Sequence, residues 1–430
     1  MHTPSPRRLK VLIPTLVLGV LAAGFVSAEE GPRSASRLGF REGSPAKRVV
    51  DLATWDKGEE CRWAFQHISE IIPTANITRG SGVPRPLATA PVDLSGITFT
   101  APDGAKTTLR TMLRDTYTDG FIVLQNGRVL YEKYFNGMKP HTRHLLMSVS
   151  KSVTGTLAGI LVDDGRLNPD KLVVDYIPEL RASPGFAEAT VRHVLDMTTS
   201  IVFSEDYDNP QAEVVAHEQA SAWRGRSPTA AKGLYAFAQT IKKDEREHGK
   251  LFHYASINTD VLGWLIERAS GQRLIHFMEQ SLWSKLGADH DAQLSVDYLG
   301  SPVVNGGFCM TLRDLARFAQ MVLDDGRAHG QQIVSSGWID DIQHGGDNAA
   351  WSPKYAKLWP KGFYRNQWYV TKDDQGSFFA VGVNGQHIWI NPTTRVVIVK
   401  MSSYPVSAHT ESAQLTWRGM DALARHLKPR

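Results

Sequence analysis

The clearest hydrophobic pattern in the chain is a pair of β-type runs on either side of a turn. Residues 120–134 are rich in aliphatic, β-branched and aromatic side chains, and they are interrupted by Asn126-Gly127. Asn and Gly tolerate the positive φ angles that a two-residue turn requires. The pattern therefore predicts a β-hairpin over residues 120–134.

Strand-like runs return near the C-terminus, at 378–383, 386–390 and 395–401, and a helical pattern follows over 411–427. Residues 167–285 alternate helical segments with loops and have few strand signals. This order predicts an α+β fold in which an antiparallel sheet, completed by N- and C-terminal strands, is flanked by helices and carries a mostly α-helical inserted subdomain. The cleft between the two parts is the expected site.

The first residues have a composition of their own. Three basic residues precede an uncharged run from Val11 to Val26, and small residues close it. This arrangement predicts a secretory signal peptide over residues 1–28, with Glu29 as the first residue of a periplasmic or secreted protein. An uncleaved membrane anchor is the alternative, although the run is short for a span. The Sec and twin-arginine routes both stay open.

The rest of the chain divides by composition. Residues 29–105 are rich in Pro, Gly, Ser and Arg, and we interpret them as an extension wrapped on a larger body, with no candidate chemistry. Residues 106–430 are predicted to form the main domain. Its α/β part covers about 106–165 and 300–430, and its helical part covers about 166–299.

Charge and cysteine content restrict the expected partners. The formal charge of +4 falls to +1 when Arg7, Arg8 and Lys10 leave with the signal peptide, so a nucleic-acid partner is not expected. No second stretch is long and apolar enough to span a bilayer. Cys61 and Cys309 stand in no zinc-type spacing, so neither a metal nor another cofactor is expected, and whether the two cysteines pair stays open. The expected partner is a small-molecule substrate, and the oligomeric state is left open.

The candidate chemistry begins at Ser148. Residues 148–165 are small or apolar on nearly every side, which predicts a buried central helix. Ser148 and Lys151 are three residues apart and share one face, and burial favours the neutral amine that a serine nucleophile needs as its base. The start of the helix also offers the backbone N–H of Ser148 to an oxyanion. The alternative is that Ser148 only caps the helix.

Two motifs carry a family resemblance. The sequence from His144 to Gly165 resembles the active-site helix of the penicillin-recognising serine hydrolases, a group of class C β-lactamases, D-alanyl peptidases and related esterases and amidases. Tyr254-Ala255-Ser256 resembles the second motif of that group. The resemblance implies a β-lactamase/transpeptidase-like fold in which Ser148 is the nucleophile, Lys151 is its base and Tyr254 shares the proton transfer.

The third motif of the group is altered. Ala380 stands where the group has a cation that holds the β-lactam carboxylate, so β-lactamase activity is not expected. The same strand implies that the backbone N–H of Val383 is the second oxyanion donor, beside that of Ser148.

Within the group, residues 203–210 and His217-Glu218 resemble the 6-aminohexanoate-dimer hydrolases, which are nylon-oligomer amidases. The resemblance implies three substrate contacts. Tyr207 donates to the departing amide nitrogen, Glu218 takes the free ammonium of the substrate in place of the family's aspartate, and Asn305 lines the pocket.

The expected function is that of an exported serine hydrolase that cleaves linear amides, similar to 6-aminohexanoate dimer, or esters through an acyl-enzyme on Ser148. A β-lactamase-like carboxylesterase is the alternative. A D-alanyl peptidase, a β-lactamase and an inactive binder of cell-wall peptides agree less well with the motifs.

Overall fold

The computed structural model describes residues 50–428, so the predicted signal peptide lies outside the described residues. The strands, in chain order, are β1 (Thr74–Ile77), β2 (Ala88–Thr89), β3 (Thr98–Thr100), β4 (Lys106–Thr108), β5 (Thr118–Gln125), β6 (Arg128–Tyr134), β7 (His144–Leu145), β8 (Ala292–Ser295), β9 (Phe308–Met310), β10 (Arg327–Ala328), β11 (Gln331–Gln332), β12 (Phe363–Arg365), β13 (Trp368–Val370), β14 (Phe378–Gly382), β15 (Gln386–Asn391) and β16 (Val396–Ser402). The α-helices are α1 (Glu60–Ala64), α2 (Leu109–Asp115), α3 (Val149–Asp163), α4 (Val173–Tyr176), α5 (Val191–Leu195), α6 (Glu213–Ala220), α7 (Leu234–Ala238), α8 (Ser256–Ser270), α9 (Leu274–Ser281), α10 (Leu312–Leu323), α11 (Ser336–His344), α12 (Pro353–Ala356) and α13 (Thr410–His426).

The larger sheet has eight strands in the order β12-β13-β14-β15-β16-β5-β6-β2. Its neighbouring strands are antiparallel, except for the edge pair of β2 and β6, which is parallel. Strand β16 pairs with β5, so strands from the two ends of the chain complete one sheet. The predicted α+β fold is confirmed.

The predicted hairpin consists of β5 and β6. Asn126 has a φ of 50° and Gly127 a φ of 73°. Positive φ at both central residues is the requirement of a type I′ turn, whose twist matches that of the flanking strands. The turn sets the register, in which Gln125 pairs with Arg128, and the prediction is confirmed.

The central strands are apolar at almost every position because helices cover both faces of the sheet. Val397 and Val399 of β16 pack in the cluster that contains α3 and α10. Val396 and Ile398 pack in a second cluster with α2 and α13. Strands buried on both faces form continuous apolar runs instead of alternating ones, which explains the sequence pattern at 395–401.

Helix α3 is the predicted central helix, and most of its residues are buried. Two glycines allow its neighbours to approach closely. A Cβ at Gly155 would lie 2.4 Å from the carbonyl oxygen of Asn366, and one at Gly159 would lie 2.5 Å from the Trp338 ring. The helix is therefore in direct contact with the turn between β12 and β13 and with α11.

Between α3 and β8 the described chain forms α4 to α9, short 3-10 helices and only isolated β-bridges, as the mostly helical insert predicts. A second sheet, with the strand order β1-β8-β9-β7, was not predicted from the sequence. Its strands are two to four residues long, too short to show a period of two. This sheet contributes to the site because β7 leads into Ser148 and β9 follows Asn305.

The predicted N-terminal extension supplies β1 of this second sheet and also packs next to the sheet. Its residues 50–72 form an apolar cluster with Leu145, Met147 and Trp223. The backbone N–H of Leu145 donates to the carbonyl oxygen of Phe65 at 2.8 Å. The extension thus supports the segment that leads into Ser148. The division of the chain into an extension and a separate hydrolase domain stays a prediction.

Cys61 and Cys309 are both buried and free, so the disulfide alternative is wrong. The Cys61 thiol donates instead to the carbonyl oxygen of Gly58 at 3.1 Å. Among residues 50–428, no helix is long and apolar enough to cross a membrane. The same residues contain no group of three or more His, Cys, Asp or Glu side chains arranged to hold a metal ion.

We expect Gly155→Ala to lower the free energy of unfolding by about 1–3 kcal/mol, because a methyl group at this position overlaps a backbone carbonyl that cannot move away. In an open helix the same substitution stabilises by roughly 1 kcal/mol. Urea denaturation measures the difference. Gly82→Ala is the control, because a Cβ there meets no heavy atom within 4 Å. A Gly155→Ala protein as stable as the wild type would contradict the close contact.

Candidate active site

Ser148 stands at the junction of β7 and α3, where it lines a cleft. Its backbone is helical, with a φ of −66° and a ψ of −6°, and its side chain makes no capping hydrogen bond. The preceding Met147 has a φ of 46°, which is uncommon for a residue with a side chain. The helix-cap alternative for Ser148 is therefore wrong, and its hydroxyl is available to other partners.

Lys151 lies beside Ser148, one turn into α3. Its Nζ is 2.9 Å from Ser148 Oγ, 3.1 Å from Ser256 Oγ and 2.8 Å from the carbonyl oxygen of Asn305. Lys151 is only 1% exposed. The amine is thus surrounded by three fixed oxygen atoms and is shielded from water.

The surroundings of Lys151 favour its neutral form. Burial lowers the pKa of the amine to about 8, although the negative charges of Glu205 and Asp260 oppose this shift. Desolvation disfavours a charged group, whereas nearby carboxylates favour an ammonium. A usable fraction of neutral amine therefore exists near neutral pH.

Tyr254 faces the same pair of residues. Its hydroxyl lies within hydrogen-bonding reach of Ser148, and Lys151 Nζ is 5.1 Å from its ring centroid. The ring stacks on Tyr369, at a centroid distance of 6.4 Å. Burial raises the pKa of Tyr254 well above its usual value, so the phenol keeps its proton at neutral pH and can donate it. The three residues of the two motifs meet in one place, and their catalytic roles stay predictions.

The end of β14 passes directly beside the start of α3. A Cβ at Gly382 would lie 2.9 Å from the backbone nitrogen of Ser148, so only glycine permits this approach. Val383 follows and lines the same cleft as Ser148. Ser148 and Val383, whose backbone N–H groups are the predicted oxyanion donors, are therefore neighbours on the cleft wall. Ala380 is 1% exposed and pairs with Ile388, and it presents no cation to a substrate.

The cleft wall combines aromatic, acidic and small residues from distant parts of the chain. Its lining consists of Trp55, Asp56, Met147, Ser148, Tyr207, Val214, His217, Glu218, Ser221, Trp223, Ser256, Asn305, Gly306, Val383, Asn384 and Ser407. The three predicted substrate contacts, Tyr207, Glu218 and Asn305, are all on this lining. The sequence reading missed Trp55 and Asp56, because the extension that carries them has no recognisable motif.

Glu205 links two parts of the site and was also missed. Its Oε2 accepts a hydrogen bond from the Tyr207 hydroxyl at 2.6 Å, and its Oε1 accepts one from the backbone N–H of Ser256 at 2.5 Å. Ser256 begins α8, whose N-cap residue Ala255 has no side-chain acceptor. Glu205 thus caps α8 from outside the helix and connects it to the Tyr207 loop. An acidic residue two positions before Tyr207 was the only available signal.

Glu218 already has a partner in the protein. It forms an ion pair with Arg224, whose Nη2 is also 3.6 Å from Asp56 Oδ2. Burial raises the pKa of Glu218 to about 7, against the lowering effect of Arg224. Two carboxyl groups of the cleft wall, those of Asp56 and Glu218, therefore share the guanidinium of Arg224. The predicted role of Glu218 as an ammonium acceptor requires it to share its charge with Arg224.

Asn305 contacts the predicted base instead of standing free in the cleft. Its carbonyl oxygen accepts from Lys151, and its side-chain amide donates to Asp260 Oδ2 at 2.8 Å. The sequence reading did not single out Asp260. An aspartate inside an apolar helix, one turn after Ser256, was a usable signal because buried carboxylates are rare unless they are paired.

Comparison with known proteins decides the family. Residues 107–418, well over half of the chain, match the family profile described as Beta-lactamase. The chain belongs to this beta-lactamase family. It is 40% identical over 355 residues to the 6-aminohexanoate-dimer hydrolase of Paenarthrobacter ureafaciens, and the match spans 82% of this chain and 88% of that enzyme.

Two solved structures of this fold are similar to the chain. A Bacillus anthracis protein provisionally designated a 6-aminohexanoate-dimer hydrolase has a TM-score of 0.81 at 27% identity, and the match covers 90% of this chain and 100% of that one. EstCE1, described as a hydrolase with promiscuous acyltransferase activity, has a TM-score of 0.57 at 16% identity, over 71% of this chain and 94% of that one. The predicted resemblance is confirmed, and the protein is a hydrolase of the serine β-lactamase and transpeptidase type.

The raised pKa of Glu218 gives a stability test. A carboxyl group whose pKa is higher in the folded state binds its proton more tightly there, so its contribution to stability falls as the pH rises from about 4.5 to about 7. We expect the stability of the wild type, relative to Glu218→Gln, to decrease by on the order of 2 to 3 kcal/mol across this window. Chemical denaturation at several pH values measures the decrease.

Glu188→Gln is the control for this measurement. A hydrogen bond from Lys243 lowers the pKa of Glu188, so the wild type should gain stability relative to this variant as the pH rises. A flat difference between the wild type and Glu218→Gln from pH 4.5 to 7 would show that folding does not raise the pKa of Glu218.

Proposed function

We propose that the protein is an exported serine hydrolase that cleaves linear amides, of the kind represented by 6-aminohexanoate dimer, or esters through an acyl-enzyme on Ser148. The observation that carries the proposal is the contact of 2.9 Å between Ser148 Oγ and the buried Nζ of Lys151. A serine hydroxyl needs a general base within hydrogen-bonding reach, and this base has a pKa lowered to about 8.

Acylation proceeds by addition to the substrate carbonyl. The neutral amine of Lys151 takes the hydroxyl proton while Ser148 Oγ forms a bond to the carbonyl carbon. The carbonyl oxygen becomes an oxyanion and accepts hydrogen bonds from the backbone N–H groups of Ser148 and Val383.

Collapse of the intermediate breaks the bond between the carbonyl carbon and the leaving nitrogen or oxygen. Tyr254 or Tyr207 gives a proton to the leaving group. When Tyr254 is the donor, the ammonium of Lys151 beside it replaces the proton on the phenol. Water then attacks the acyl-enzyme with Lys151 again acting as base, which releases the acid and restores Ser148. Both phenols keep their protons at neutral pH, because burial raises the pKa of Tyr207 and of Tyr254 well above the usual value.

The substrate class is inferred from the relative and from the cleft. The relative that is 40% identical bears the name 6-aminohexanoate-dimer hydrolase. The dimer in that name is a linear amide with a free ammonium. The carboxylates of Asp56 and Glu218 around Arg224 supply an acidic end at which such an ammonium can bind. Ala380 leaves a substrate carboxylate without a cationic partner on β14, which argues against β-lactams.

A carboxylesterase is the second candidate. The acyl-transfer steps are the same for an ester, and an alkoxide leaves more readily than an amine. The absence of a side-chain charge at Ala380 favours neutral acyl groups, which many esters have. Hydrolysis of a short p-nitrophenyl ester without hydrolysis of a linear amide dimer would select this candidate.

We expect a fluorophosphonate probe to add one adduct to the wild type, and none to Ser148→Ala, because only an activated serine attacks the phosphorus atom. Intact-mass spectrometry reads the adduct. Parallel assays on 6-aminohexanoate dimer and a p-nitrophenyl ester should show turnover by the wild type and none by Ser148→Ala. Ser152→Ala is the matched control, because its hydroxyl is on the same helix but donates to the carbonyl oxygen of Gln367. Equal labelling of Ser148→Ala would disprove the nucleophile assignment.

Export is tested on the chain with its own N-terminus. In a bacterial host we expect the protein in the periplasmic fraction or the medium, with the mass of a chain that begins at Glu29. Leu18→Arg places a charge in the apolar run and should keep the full-length chain in the cytoplasm. Full-length wild type in the cytoplasmic fraction would contradict export without affecting the hydrolase proposal.

A further inference from the structure

Asp260 is the centre of a buried polar group next to the active site. Its Oδ1 accepts from the backbone N–H of Asn305 at 3.1 Å, and its Oδ2 accepts from the side-chain amide of the same residue at 2.8 Å. The Nε2 atom of His217 is 2.7 Å from Oδ2. The side chains of Asp260 and His217 are only 2% and 3% exposed. The carboxylate therefore holds Asn305 at two points and is itself held by a residue of the cleft wall.

The direction of the Lys151 lone pair depends on where the N–H groups of its neutral amine are bonded. A neutral lysine has two N–H groups and one lone pair, and its nitrogen here has three oxygen neighbours. The carbonyl oxygen of Asn305 can only accept, so it takes one N–H. When Ser256 Oγ accepts the other N–H, the lone pair is directed at Ser148 Oγ. The position of the Asn305 carbonyl thus determines whether Lys151 can act as a base toward Ser148.

We propose that Asp260 is a positioning residue for the base: by holding Asn305 at its backbone and side-chain amides, it fixes the carbonyl that directs the lone pair of Lys151 at Ser148. This inference rests on the proposed function of Lys151. It assigns the contribution of Asn305 to its main chain, and therefore differs from a role of the Asn305 side chain in substrate binding.

Asp260 also acts through its charge. The charged and titratable groups that face Lys151 are Glu205, from the loop before α6, Asp260, on α8, and the Tyr254 phenol, while His217 of α6 faces Asp260. A carboxylate close to Lys151 stabilises the ammonium and so opposes the effect of burial. Removal of the charge should therefore lower the pKa of Lys151, whereas a weaker hold on Asn305 should slow catalysis. A purely structural role of Asp260 predicts no change in the pKa of Lys151.

The experiment compares the full mature chain with its Asp260→Asn variant. Asparagine keeps the size of the side chain but has no charge, and its one carbonyl oxygen can accept only one of the two N–H groups that Asn305 donates to Asp260. We expect the ¹³Cε resonance of Lys151, in protein labelled with [ε-¹³C]lysine, to titrate near 8 in the wild type and about one pH unit lower in the variant. The acid limb of kcat/KM should move in the same direction, and kcat should fall about 10- to 100-fold.

Two further variants separate the possible causes. Asp297→Asn removes another buried carboxylate, 2% exposed, which accepts from the backbone N–H of Leu234. It should leave the Lys151 titration unchanged even if it destabilises the fold. Asn305→Ala keeps the carbonyl and the bond from the backbone N–H to Asp260 Oδ1, and it sets no donor against another donor. It should therefore reduce kcat less than Asp260→Asn does.

Two results would overturn the inference. One is an Asp260→Asn protein in which Lys151 titrates as in the wild type and kcat is retained. The other is an Asn305→Ala protein with a larger loss of kcat than Asp260→Asn, because the side chain of Asn305 would then be the important group. The NMR titration does not depend on turnover. If neither amide nor ester is hydrolysed but the Lys151 titration shifts, the proposed function fails while the coupling of Asp260 to Lys151 stands.

Discussion

The buried amine of Lys151 is the group on which the rest of the site depends. Removing a lysine from water is costly unless its N–H groups find acceptors, and here Ser148, Ser256 and Asn305 surround it at 2.8 to 3.1 Å. These three residues belong to α3, to the start of α8 and to the segment before β9. Each contact therefore requires that the central helix, the helical insert and the small sheet keep their relative positions.

Close packing around α3 maintains those positions. Gly155 brings the helix against the backbone at Asn366, and Gly382 brings the end of β14 against the backbone nitrogen of Ser148. A side chain at either glycine would separate elements that now touch. Interiors packed at this density transmit small displacements. The same contacts that bury hydrophobic surface thus set the distances between the proposed nucleophile, base and oxyanion donors.

Segments that are far apart in the sequence line the cleft together. Glu205 connects the Tyr207 loop to the start of α8, and Asp56 reaches the ion pair of Glu218 and Arg224 from the N-terminal extension. Asp56 and Glu218 on the cleft wall, together with the uncharged Ala380, are the features that we expect to determine the substrate choice of this chain.

The sequence by itself determined the local features, because they depend on neighbouring residues. Asn126-Gly127 specified the hairpin, the apolar runs near the C-terminus specified β14 to β16, and the three-residue spacing put Ser148 and Lys151 on one face of a helix. Only the tertiary structure decided the contacts made across the chain: the short strands of the second sheet, the free state of the two cysteines, and the carboxylate of Asp260 beside Asn305. The spacing of apolar and polar residues along the chain does not predict these contacts, since each joins residues that are close in space and far apart in sequence.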